Sequence, residues 1–89
     1  GSYTTSNRES GEGRYDIQLM PKTRSLPGIL IGLKAEKHCS QEKLSQLAEV
    51  ALKQINDNKY ELEMVTKGIR SIFKYGVAFS GKNVAVSVG

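Results

Sequence analysis

Tryptophan is absent from the 89 residues, and only one cysteine, one histidine and two prolines are present. The lone cysteine, Cys39, excludes an internal disulfide framework and suits a reducing, intracellular setting. The lone histidine, His38, lies in a polar linker with no cysteine or second histidine nearby, which excludes a zinc site of the usual ligand spacing. Long hydrophobic runs are missing too. The most apolar stretch, Ile29 to Leu33, falls far short of the roughly 18 residues of a membrane span and does not have the flanks of a signal peptide. Acidic side chains are the minority, 9 against 13 lysines and arginines, giving a net charge of +4. That excess suits a polyanionic partner such as nucleic acid, and it equally fits an evenly solvated surface.

What is present is one small domain, of a size that buries only about 60% of its unfolded surface. Gly1 and Ser2 read as a vector-derived scar, leaving residues 3–89 as a single domain. The first sixteen residues hold almost no aliphatic side chain, so the expectation is a fold truncated at its N-terminus by loss of an upstream element. Exposed apolar surface or a homo-oligomer would follow from such a loss.

Along the chain, Tyr3 to Ser6 is a strand-prone patch before a glycine-punctuated loop. "RYDIQLMP" then alternates, with Tyr15, Ile17 and Leu19 on one side and Arg14, Asp16, Gln18 and Met20 on the other. "KTRSLPG" is a turn, and "ILIGLKA" is a further strand with Leu30, Gly32 and Lys34 on one side. From Ser40 the period becomes helical. Leu44, Leu47, Ala48, Ala51, Leu52 and Ile55 form an amphipathic stripe that Ser40 can cap. "ELEMVTKG" gives a second short helix stopped by Gly68, and two strands joined at Ser80 to Asn83 close the chain. The fold class is mixed α/β or α+β, with one main helix packed on the sheet.

If the second and third strands pair, their matching parity brings Asp16 near Gly32 and Lys34. A carboxylate and a lysine would share one patch, either as an ordinary cross-strand ion pair or as part of a reactive site. Glycine inside a strand packs nothing and costs conformational entropy, so sheet stability does not explain Gly32.

The wording of four segments goes further than their periodicity. "SNRESGEGRYDIQLMPK", "GILIGLKAEK", "LAEVALKQINDNKY" and "KGIRSIFKYGVAFSGKNVAV" together resemble the PD-(D/E)XK nuclease superfamily, from about Ser6 to Val88. The branch they resemble is found at the C-terminus of bacterial proteins behind an AAA-ATPase-like domain. The resemblance implies a restriction-endonuclease-like mixed sheet. It also implies a magnesium or manganese site for phosphodiester hydrolysis, built from an aspartate on one strand and a Glu-x-Lys triplet on the next. By position Asp16 matches the aspartate, Lys34 the lysine, and the Leu33 backbone carbonyl the neutral ligand. Gly32 stands where the family keeps its second metal-binding acid.

With one acid missing, the metal would be weakly bound if bound at all. Three carboxylates are conceivable substitutes: Glu36, on the same face two residues beyond Lys34, then Glu9 in the loop before the second strand, and Glu49 on the main helix. Gln54 and Tyr60 match a glutamine and a tyrosine typical of the branch. Gln54 either faces the active site or the substrate backbone or is a polar residue of the helix surface, whereas Tyr60 reads as a core anchor with its hydroxyl at the rim. Arg8, Arg14 and Lys37 are candidate contacts to nucleic-acid phosphates. Three functions remain open at this point: metal-dependent DNA cleavage, impaired here; a nucleic-acid-binding pseudonuclease; and a protein-interaction module that keeps only the fold.

Overall fold

A computed structural model describes residues 1–57 and 59–89. Three strands, β1 (Tyr3–Gly11), β2 (Arg14–Pro21) and β3 (Gly28–Ala35), are followed by the helices α1 (Gln41–Asp57) and α2 (Tyr60–Thr66). Strands β4 (Ile72–Ser80) and β5 (Asn83–Val88) complete the chain. The strands form one sheet in the order β1-β2-β3-β4-β5. All neighbours run antiparallel except β3 and β4, which are parallel because the helices carry the chain back across the sheet between them. The fold is mixed α+β, in the element order expected from the sequence. No helix among the described residues is long and apolar enough to cross a membrane.

The first strand is longer than the expected patch at Tyr3 to Ser6. It continues to Gly11 because Gly11, Glu12 and Gly13 all take positive φ and turn the chain tightly into β2. Hairpin pairing with β2 therefore satisfies the backbone of a polar segment that alternation alone cannot mark as a strand. Ser2, set aside as a scar, also takes part: its carbonyl accepts the Lys22 N–H at 2.8 Å.

Both helices pack on one face of the sheet, the face bearing Asp16, Leu30, Gly32 and Ala78. The α1 stripe meets it as expected, with Leu44, Ala48, Ala51 and Ile55 buried and Leu47 packed against the cluster of Leu44, Ala48 and Ala78. Ser40 Oγ accepts the Lys43 N–H at 3.2 Å and caps the helix. Leu30, Ile55, Met64 and Ile69 form one core cluster beside α2. The opposite face carries Tyr15, Ile17, Leu19, Ile29, Ile31, Leu33, Tyr75 and Val77, all half-buried, and neither helix lies on it.

Two glycines set how closely α1 approaches. Gly32 and Gly76 are register partners on β3 and β4, and a Cβ on Gly32 would stand 2.6 Å from the Ala51 carbonyl oxygen. A Cβ on Gly76 would meet the Ala48 carbonyl oxygen at 2.1 Å. Helix packing is thus the physical reason for glycine at position 32, which strand propensity alone could not supply.

Candidate functional site

Register builds the site row by row. On the helix-bearing face Arg8, Asp16, Gly32 and Gly76 are successive partners across β1, β2, β3 and β4. In the next row Arg14 stands opposite Lys34. Because directly opposed residues share a face, Asp16, Lys34, Arg8 and Arg14 all project from the same side of the sheet. α1 covers the Gly32 and Gly76 end of the first row, while Asp16 and Arg8 lie toward β1, beyond its cover.

Asp16 is 8% exposed and firmly held. Its Oδ2 accepts the Ser10 hydroxyl and the Tyr60 hydroxyl, each at 3.2 Å. Tyr60 is thus more than the rim residue expected from its sequence position, because α2 begins where its phenol reaches the strand carboxylate. Burial, then the negative charge of Asp16 and the hydrogen bond to it, raises the Tyr60 pKa above its ordinary value, with Arg8 acting in the opposite direction. A cavity of about 260 Å³ opens here, lined by Ser6, Asn7, Arg8, Asp16, Gln18, Tyr60 and Glu63.

Lys34 is anchored at the hairpin turn. Its Nζ donates to the Glu12 carbonyl and lies 3.9 Å from Glu36 Oε2. Arg14 and Lys34 stand directly opposite, and like charges so placed cost stability unless an anion is near. Gln54 is half-buried on α1, between Ala51 and Ile55, the residues that meet Gly32. Tyr60 thus reaches the row from α2, and Asp16, Lys34, Arg8 and Arg14 come from three strands.

The proposed substitute acids are not gathered at Asp16. Glu36 sits four residues beyond Gly32, about 13 Å along the strand direction, with its N–H bonded to the Phe79 carbonyl. It lines a separate cavity with Lys37, His38 and Cys39, so Lys37 also lies away from the Asp16 row. Glu9 is the partner of Tyr15 and projects from the opposite face. Glu49 is exposed on α1, off its packed stripe. Glu63 is the carboxylate that shares the Asp16 cavity, and the sequence reading missed it. Its signal was the helical spacing from Tyr60, which places residues 60 and 63 on one side of α2.

The sequence model of the PD-(D/E)XK nuclease superfamily matches residues 1–88. The chain belongs to that superfamily. Its mixed five-stranded sheet with two helices is accordingly restriction-endonuclease-like. Comparison with curated proteins and with solved structures gives no match. Members of the superfamily typically use divalent metal ions and act on nucleic acid.

The residues here do not fit a resident divalent ion. Magnesium takes six oxygens in near-octahedral array and is usually anchored by one or two carboxylates. Asp16 Oδ2 already accepts two hydroxyls, Gly32 supplies no side-chain oxygen, and the Ala51 carbonyl fills the space a side chain would need. No group of three or more histidine, cysteine, aspartate or glutamate side chains is placed to hold a metal among the described residues.

Proposed function

We propose that this PD-(D/E)XK nuclease-like domain engages the phosphodiester backbone of DNA along its Asp16 side and that its metal-dependent hydrolysis is impaired by Gly32. The observation that supports this reading most is the pairing of a buried, hydrogen-bonded Asp16 with a glycine pressed against α1. Arg8 and Arg14 would neutralise phosphates, and Lys34 would meet a phosphoryl oxygen at the hairpin end of the row. Ser10 and Tyr60, by donating to Asp16 Oδ2, spread the carboxylate's charge and lower its repulsion of the strand. Gln54 would offer its amide to the backbone from α1. Such contacts read charge and spacing and not base sequence. An AAA-ATPase-like domain in the same full-length chain is the setting that the resemblance implies for this activity.

Plasmid nicking together with calorimetric titration of manganese tests the reading. Expected are weak metal binding and no nicking above background. Efficient nicking that is lost in Asp16→Asn would overturn the impairment, and Glu63→Gln would then show whether the second acid comes from α2.

A further inference from the structure

We propose that the cavity at the C-terminal end of α2 is a second site, which holds the phosphate group of a phosphate ester between Arg24 and Arg70. It does not rest on the Asp16 reading, because Gly28 at the start of β3 lies four residues before Gly32, about 13 Å along the strand. Since β3 and β4 run parallel, the segments that lead into them, residues 22–27 and 67–71, meet at one end of the sheet. The Gly28 N–H donates to the Ser71 carbonyl at 2.8 Å and ties them together. Beside this junction opens a cavity of about 540 Å³, lined by Arg24, Ser25, Val65, Gly68, Ile69 and Arg70.

Charge selects the ligand. Two guanidinium groups line the cavity and, among the described residues, no carboxylate does. Lys34 and Lys74 have Glu36 and Glu61 beside them, whereas neither arginine makes an ion pair or a side-chain hydrogen bond among the described residues. Two like charges in one cavity repel until an anion joins them. The end of α2 does not use them up either. A helix C-terminus attracts cations, but the carbonyls of Glu63, Met64 and Val65 already accept the N–H groups of Lys67, Gly68 and Ile69. Gly68 instead makes room for Arg24: it turns the chain at a φ of +88°, and a Cβ on it would stand 3.2 Å from Arg24 Cδ and Nε. The Arg24 stem therefore lies against the turn. A planar guanidinium so held offers paired donors that match two phosphate oxygens. Ser25 Oγ is 3.2 Å from Thr23 Oγ1, and with Thr23 donating, the Ser25 proton is left for a third oxygen. Val65 and Ile69 add an apolar wall, and the volume exceeds that of one phosphate, which favours an ester over the bare ion. A free nucleotide and a nucleic-acid backbone both present that chemistry.

Nuclear magnetic resonance of the backbone amides and arginine Nε–H groups tests this, in titrations with adenosine monophosphate and with a short duplex that has no terminal phosphates. Ionic strength is held constant, and sodium chloride is the control. Expected are saturable shifts at Arg24, Gly68 and Arg70. Saturation by adenosine monophosphate assigns the ester to a nucleotide, and saturation by the duplex alone assigns it to a nucleic-acid backbone; either upholds the site. The mononucleotide titration reads this cavity whether or not the Asp16 row binds DNA. Arg24→Gln and Arg70→Gln, both at exposed positions and so expected to fold, should each weaken the binding about tenfold. Arg24→Lys keeps the charge without the fork and should fall between Arg24→Gln and the wild type. Lys43→Gln makes the same change in net charge on the first turn of α1, beside the Val84 end of β5, and should leave the binding unchanged. Shifts no larger than those of chloride with both probes would overturn the proposal. So would binding that survives both arginine substitutions, or that falls as far in Lys43→Gln.

Discussion

Gly32 carries two meanings at the scale of a single residue. By resemblance it is the place of a lost metal ligand, and by geometry it is the point where the α1 backbone touches the sheet. The second meaning decides what restoring an acid would do. A Cβ 2.6 Å from a backbone oxygen cannot be relieved by a side-chain rotation, so α1 must shift. Gly32→Ala should lose about 1–3 kcal/mol in denaturant unfolding, and Gly32→Glu should lose more without gaining metal-dependent stability. A Gly32→Glu protein stabilised by magnesium would show that α1 can withdraw. Tyr60 makes a second residue-scale prediction. Its folded pKa is raised, so the folded protein binds the phenolic proton more tightly than the unfolded chain does. The stability Tyr60 contributes is therefore complete below the unfolded value of about 10 and is lost as pH rises through the raised folded value. The melting midpoint should fall more steeply above about pH 10 in the wild type than in Tyr60→Phe, in which this proton is absent. Parallel curves for the two proteins would contradict the assigned role.

Among the elements, α1 is the one whose sequence carries most of its own structure. Its stripe, its Ser40 cap and its end at Asp57 all follow from local spacing. Ser40→Ala should cost about 1 kcal/mol, the usual loss for an N-cap hydroxyl, measurable as a lower urea midpoint with an unchanged slope. β2, β3, β4 and β5 were legible for the same reason, since alternation and turn glycines mark them without tertiary context. Strand β1 was not, because a polar edge strand has no apolar period and owes its length to the positive-φ turn at residues 11–13. In the site, the parity that joined Asp16 to Lys34 was readable, whereas the contact of Tyr60 with Asp16 was not. That contact depends on where α2 sits over the sheet, and no spacing along the chain encodes it. Glu36 lies beyond the end of β3 at Ala35, so strand parity puts it near Lys34, 3.9 Å away, and not in the Asp16 row.

For the whole molecule, the sheet divides into a charged, helix-bearing face and an open face that is apolar from β2 to β5. The basic row of Arg8, Arg14 and Lys34 beside Asp16 is the proposed DNA surface. Its binding should be electrostatic, independent of sequence, and insensitive to magnesium, because no metal site is complete among the described residues. The most direct measurement is fluorescence anisotropy of a labelled duplex titrated with the 89-residue chain over a range of salt concentrations, with magnesium or with a chelator. Expected is an affinity that falls linearly with the logarithm of salt, a slope smaller by about two phosphate contacts in Arg8→Ala/Arg14→Ala, and no difference between magnesium and chelator. Absence of binding at low salt, an unchanged slope in the double variant, or binding that requires magnesium would contradict the account.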